Sequence, residues 1–124
     1  MVKKRIRIIG GEKETKLFVQ VANTKEKREK GLMFVEYLPE NEGLLFVFSE
    51  KIYGGFWMKN TLIPLSIAFI DTDGKILKIL DMELCKVEEC PIYNPGIFYR
   101  YTIEVNFGWF RRKGIKEGDY VIFD

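Results

Sequence analysis

Leu65-Ser66-Ile67-Ala68-Phe69-Ile70-Asp71-Thr72-Asp73-Gly74-Lys75-Ile76-Leu77-Lys78-Ile79-Leu80 reads as two strands joined by one tight turn. An Asp-Gly step between two apolar runs is a strong hairpin signal, because glycine takes the positive φ of such a turn without steric cost. Leu65 to Ile70 carries no charge and has strand length, which predicts a strand at the buried centre of a sheet. Asp71 and Asp73 could also open a calcium loop. Its twelfth position would be Met82 rather than a glutamate, so that reading is rejected.

Upstream lies Gly54-Gly55-Phe56-Trp57-Met58-Lys59-Asn60-Thr61-Leu62-Ile63-Pro64-Leu65, read as strand, turn, strand. If Phe56 to Lys59 is extended, Trp57 and Lys59 share one face, with Phe56 and Met58 on the other. Before it, the turn cluster Leu38 to Gly43 leads into Leu44-Leu45-Phe46-Val47-Phe48, predicted as a second central buried strand. At the start of the chain, Arg5 to Ile9 and Lys16 to Ala22 form a hairpin around Gly10-Gly11. Asn23 or Thr24 then caps a short helix ending at Lys30, the spacing of Asn23 and Glu26 matches a capping box, and Gly31 is its stop.

Downstream, Tyr101 to Asn106 alternates strictly. Tyr101, Ile103 and Val105 point inward, while Thr102, Glu104 and Asn106 take the other face. Gly114 to Phe123 is a turn feeding a last strand. Cys85 and Cys90 sit in an acidic, irregular segment, where a local disulfide or two free thiols is open. Their spacing lets the Cα atoms approach within disulfide range, and a bridge is the reading carried forward. The elements amount to seven or eight short strands, one short helix and no βαβ rhythm. The fold class is mainly β within β-rich α+β, a small antiparallel β-barrel or rolled sheet.

The 124 residues, 47% apolar and 15% aromatic, suffice for one core, so a single domain over 1–124 is expected. A net charge of +2 gives no global field for nucleic acid or an anionic membrane. Local clusters at Lys3, Lys4, Arg5 and Arg7 and at Arg111, Arg112 and Lys113 read as solvated faces. Histidine is absent, which removes the commonest general base, the commonest zinc ligand and any Ser-His or Cys-His pair. No metal site and no cofactor are expected, since the two cysteines have no second ligand pair. The opening residues lack the apolar core of a signal peptide, so the expected location is cytoplasmic. No apolar run approaches the roughly 20 residues of a membrane span. A composition rich in Lys, Glu and Ile with one glutamine, Gln20, leans toward a thermophilic source.

The candidate site is Trp57, Lys59, Asn60 and Thr61, joined by Glu104. An indole, a cation, an amide and a hydroxyl within five residues suit a small polar or anionic ligand held against an aromatic wall. The plainer reading has Trp57 capping the core while Lys59 snorkels. Glu104 is expected to turn away from the apolar face and to pair with Lys59, or else with Arg28 or Arg100. The leading function is a small binding module with a groove around Phe56 to Thr61. The alternatives are an enzyme using Lys59 with Glu104 or Asp119 as acid and base, and a weak single-stranded nucleic-acid binder. Aromatic stacking favours the last and the near-neutral charge argues against it.

Several ordered motifs resemble the DUF192 family, also called UPF0127. They are Val19-Gln20-Val21-Ala22, Arg28-Glu29-Lys30-Gly31-Leu32-Met33, Glu42-Gly43-Leu44-Leu45-Phe46, Phe56-Trp57-Met58-Lys59-Asn60-Thr61, Ile63-Pro64-Leu65, Asp73-Gly74, Ile103-Glu104-Val105-Asn106 and Gly118-Asp119. The Phe-Trp-Met-Lys-Asn-Thr hexapeptide is the most specific. The resemblance implies a small β-rich single domain with no established activity. Ser66 departs from it, because the family pattern usually has an aspartate after the Pro-Leu step. Many relatives look exported, so the resemblance does not carry a location.

Overall fold

The computed structural model describes residues 3–123. Met1 and Val2, at the start of the expected charged opening, and Asp124, at the end of the expected domain, lie outside them. In chain order the elements are β1 (Lys4–Gly10), β2 (Lys13–Ala22), α1 (Lys25–Lys30), β3 (Glu42–Ile52), β4 (Leu65–Ile70), β5 (Ile76–Met82), β6 (Tyr99–Asn106), α2 (Trp109–Arg112) and β7 (Tyr120–Ile122). The strands form one sheet in the order β5-β4-β6-β3-β2-β1-β7.

The Asp-Gly hairpin is β4 and β5, paired antiparallel from Leu65 opposite Met82 to Ile70 opposite Ile76. Its turn does more than reverse the chain. Val121 N donates to Gly74 O at 2.7 Å and Ile76 N to Asp119 O at 2.8 Å, so the hairpin end meets β7 at the other extreme of the strand order. The sheet therefore curls into a half-barrel that is drawn together at this point. Gly74 is required there: it has φ +93, and a Cβ would stand 2.5 Å from Val121 O.

All pairings are antiparallel except β2 with β3, which run parallel with Phe18 opposite Glu42 and Ala22 opposite Phe46. Parallel neighbours need a crossover, and α1 lies in it, so the expected absence of a βαβ step is corrected. Thr24 caps α1, its Oγ1 accepting from Lys27 N at 3.1 Å, in place of the Asn23–Glu26 box. Gly31 ends the helix as expected. A second helix, α2, adds to the one anticipated.

Apolar side chains occupy both faces of the sheet. Inside the curl, Ile6, Leu17, Leu45, Ile103 and Val121 pack with Trp109 and Phe110 from α2. The Trp109 indole donates to Asn41 Oδ1 at 3.2 Å. On the opposite face of the β3-β6-β4-β5 half, Leu44, Phe46, Ile67 and Phe69 pack with Leu32, Met58 and Tyr99. The segments between strands thus form a covering layer. With both faces covered, every residue of β4 is buried. Leu44, Leu45 and Phe46 are buried as expected, while Val47 and Phe48 are half-buried.

Among the described residues no helix is long and apolar enough to cross a membrane, and no group of three or more acidic or cysteine side chains could hold a metal.

Candidate functional site

The covering layer leaves a cavity of about 510 Å³ between itself, α1 and the outer face of the sheet. The segment after β3 forms one side, without being a strand. Phe56 alone makes a bridge, its N–H donating to Tyr93 O at 3.0 Å while Tyr93 N donates to Phe56 O at 2.7 Å. Gly55 permits this approach, since a Cβ there would lie 2.5 Å from Tyr93 O. Phe56 contacts Phe46 edge-on at 5.1 Å between ring centroids and Phe69 at 6.0 Å. Tyr99 packs against Phe69 at 4.9 Å, and its hydroxyl donates to Gly54 O at 3.1 Å. Burial pushes the Tyr99 phenol up to about 12, so it stays a neutral donor.

Glu104 lines this cavity. Strand β6 lies between β3 and β4, which place Leu44 and Ile67 opposite Glu104. The side chain is 5% exposed. Among the described residues it has neither a hydrogen bond nor an ion pair. Burial alone pushes its carboxyl from 4.5 up to about 8, which makes it mostly a neutral acid at pH 7. Two expectations are corrected. Parity does set Glu104 opposite Ile103 and Val105, but the face it points to is a second apolar layer rather than solvent. None of its expected partners reaches it: the Lys59 ammonium sits 5.2 Å from the Trp57 ring centroid, Arg28 Nη1 donates to Val47 O at 3.0 Å, and Arg100 Nε donates to Phe48 O.

Trp57, 47% exposed, and Thr61 line the same cavity as Glu104. Lys59 and Asn60 are exposed and do not line it. Asn60 instead turns the chain with φ 59, and its carbonyl accepts from Phe34 N at 2.9 Å. Asp119 is held at the β1–β7 edge, accepting from Lys116 N at 2.9 Å, and is also outside the cavity. Helix α1 contributes Arg28, which the sequence offered as an alternative partner for Glu104, and lining residues that sequence reasoning did not place in the site: Lys25, Glu29 and Lys30. The Arg28 guanidinium lies 5.1 Å from the Phe48 ring centroid, which fixes it at the cavity wall. The signal that could have found them is the short helix directly before Gly31-Leu32, a buried contact that draws α1 onto the outer face.

Cys85 and Cys90 are joined by a disulfide with Cα atoms 5.6 Å apart. Cys85 packs on the outer apolar cluster, and the bridge precedes Tyr93, the partner of Phe56. At Ser66 a carboxylate is present from the neighbouring strand. Ser66 Oγ donates to Oδ1 of its cross-strand partner Asp81 at 2.6 Å and accepts from Gly108 N at 2.9 Å. Burial pushes the Asp81 carboxyl up, but the Ser66 hydrogen bond and Arg111, 2.8 Å away, bring it below its ordinary value.

Fold and site define a class: a curled half-barrel whose outer face carries a loop-covered cavity lined by a buried carboxyl. The chain belongs to the DUF192 family, described as "Uncharacterized ACR", which matches residues 6–123. It is similar to a "putative transcription regulator" from Sinorhizobium meliloti 1021, with 33% identity, a TM-score of 0.89, and coverage of 97% of this chain and 92% of that one. It is also similar to a protein of unknown function from Novosphingobium aromaticivorans DSM 12444, with 28% identity, a TM-score of 0.88, and coverage of 96% and 84%. No curated protein matches the chain.

Proposed function

We propose that the protein is a small binding module whose ligand, polar or anionic, enters the cavity between α1, Trp57 and β6. The observation that carries the reading is the Glu104 carboxyl, buried at the cavity with no hydrogen-bond or ion-pair partner among the described residues. A buried polar group without a hydrogen bond costs up to about 1–3 kcal/mol, and a ligand in the cavity that supplies the missing partner offsets that cost. Of the α1 residues that line the cavity three are basic and one acidic, and with Lys25 paired to Glu29 at 3.9 Å the excess positive charge of Arg28 and Lys30 favours a ligand with negative charge at the mouth. The volume is within the usual range for small-molecule sites, about 300–1,000 Å³.

The test is amide NMR of the protein titrated with phenyl phosphate, benzoate, uridine monophosphate and inorganic phosphate. Shifts grouped on Gly31, Gly55, Phe56 and the Trp57 indole, saturating at millimolar concentration or below, are expected for at least one probe. Shifts scattered over the surface, or none with any probe, overturn the reading.

A second reading is favoured by the same carboxyl. An acid pushed up to about 8 is matched to proton transfer near neutral pH, so Glu104 suits a general acid or base better than Lys59 or Asp119, which do not line the cavity. The cytoplasmic location and thermophilic source belong to this proposal as well. Disulfides persist inside the cells of hyperthermophiles, which supports holding both together with the Cys85–Cys90 bridge.

A further inference from the structure

We propose that the cavity takes a nucleoside-monophosphate-like ligand: a planar ring presenting an adjacent N–H and C=O to Glu104, stacked beside Trp57, with its phosphate at Lys25, Arg28 and Lys30. The inference rests on the binding-module reading and narrows its ligand class.

The chemistry of a lone carboxyl selects the buried end. Because no cation among the described residues pairs with Glu104, burial holds the group neutral at neutral pH, and a neutral carboxyl offers one O–H donor next to one carbonyl acceptor. The group that satisfies both at once is an amide locked in the cis form. Its C=O accepts the O–H and its N–H donates to the carbonyl oxygen, closing a ring of two hydrogen bonds. Lactam-type heterocycles carry that edge rigidly. A simple carboxylate would accept the O–H but bring a negative charge to a base where no cation stands among the described residues, and an alkyl group would leave the carboxyl unsatisfied.

The walls select a flat body. Phe48, Phe56 and Trp57 line the cavity, and of these Trp57 is the most exposed; the Lys59 ammonium lies over one face of its indole, 5.2 Å from the centroid, so an entering ring stacks on the other. Stacking of a base on an aromatic side chain needs no particular substituent, because every base presents a π-face. The mouth selects the tail. Lys25, Arg28 and Lys30 line it from one short helix; Arg28 is already fixed by Val47 O and the Phe48 ring, and Lys25 pairs with Glu29 at 3.9 Å, a contact that a phosphate would take over. Arginine and lysine together are the usual partners of a phosphate group. The near-neutral net charge points to a single nucleotide rather than a long polyanion.

The experiment is titration calorimetry at pH 6.5 with uridine monophosphate, uridine, phenyl phosphate and a short oligothymidylate. Uridine monophosphate is expected to bind at least tenfold tighter than uridine or phenyl phosphate. Glu104→Leu should lose at least tenfold of that affinity while staying folded. Glu104→Gln, whose amide keeps a donor beside an acceptor, should retain most of it. Joint replacement of Lys25 and Lys30 by Ala should weaken the nucleotide but not uridine. If phenyl phosphate binds as well as the nucleotide, or Glu104→Leu binds both equally, the ligand class fails and the binding module stands. If only the oligothymidylate binds, with a steep salt dependence, the mononucleotide is overturned. If none of the four binds, the ligand class falls here, and the NMR titration separately decides the fate of the module.

Discussion

Replacing Glu104 by Gln removes a titration that works against the fold, and the size of the effect follows from the burial of the carboxyl. Its ordinary value of 4.5 applies in the unfolded chain and about 8 in the folded one. Below the lower value both states hold the proton and nothing is lost. Between the two the unfolded chain releases its proton while the folded protein keeps it, so rising pH favours unfolding. Above the upper value the loss is complete. At about 1.4 kcal/mol per unit, the ceiling is about 5 kcal/mol, and about 3 kcal/mol is already lost at pH 7. Water entering the cavity reduces both figures. Asp81 works in the opposite direction: its lowered value adds stability that disappears as the pH falls, on the acid side of this window.

The assay is urea unfolding of the wild type and of Glu104→Gln near pH 5, pH 7 and pH 9, with equal m-values as the check on a common unfolded state. The variant should gain on the wild type steadily across the series, by several kcal/mol in all. Curves that stay parallel within about 1 kcal/mol from pH 5 to pH 9 would refute the buried neutral carboxyl, and with it the chemistry on which the site is built.

Phe46 is fully buried and holds Phe56 edge-on, so Phe46→Ala should cost about 3–5 kcal/mol in a denaturant melt; under about 1 kcal/mol would place it outside the core. Thiol titration of the denatured, unreduced protein should find none free at Cys85 and Cys90, and two reactive thiols would refute the bridge. Loss of the bridge through Cys→Ser should cost about 2 kcal/mol for so short a loop, read as a lowered urea midpoint. Ser66→Ala leaves the buried Gly108 N–H without an acceptor and should cost about 1–3 kcal/mol. It should also move the Asp81 carboxyl upward in a carbon-detected NMR titration; an unmoved Asp81 would count against the Ser66 contact.

Local chemistry was readable and long-range pairing was not. The Asp-Gly hairpin, the capped helix before Gly31 and the alternation in β6 are each specified by residues a few positions apart, and each is present. Nothing in Lys16 to Ala22 or Leu44 to Phe48 states that these two runs will lie side by side and parallel. Helix α2 is a single turn without a side-chain cap, held by the burial of Trp109 and Phe110, so it leaves no periodic signature.

The misreading of Glu104 has a more specific cause. Alternation shows which residues share a face but not what covers that face. A strand such as Tyr101 to Asn106, apolar at odd positions and polar at even ones, looks like one with a wet side. The correcting signal lies in its neighbour. Leu65 to Ile70 has no alternation at all, and a strand apolar on both sides belongs to a sheet covered on both sides. A central strand held between it and β3, as β6 is, shares that cover and buries polar positions as well, whereas the edge strand β5, paired with the same β4, keeps Asp81 exposed. Thr102 and Glu104 are the result, and both are without a hydrogen-bond partner among the described residues. Thr102 faces Phe46 and Phe69 across the strands and carries no charge to displace. Glu104, two residues on, opens onto the cavity, where a ligand can satisfy its acid. The polar residue that breaks the apolar pattern of the outer layer is therefore where the chemistry of this protein is concentrated.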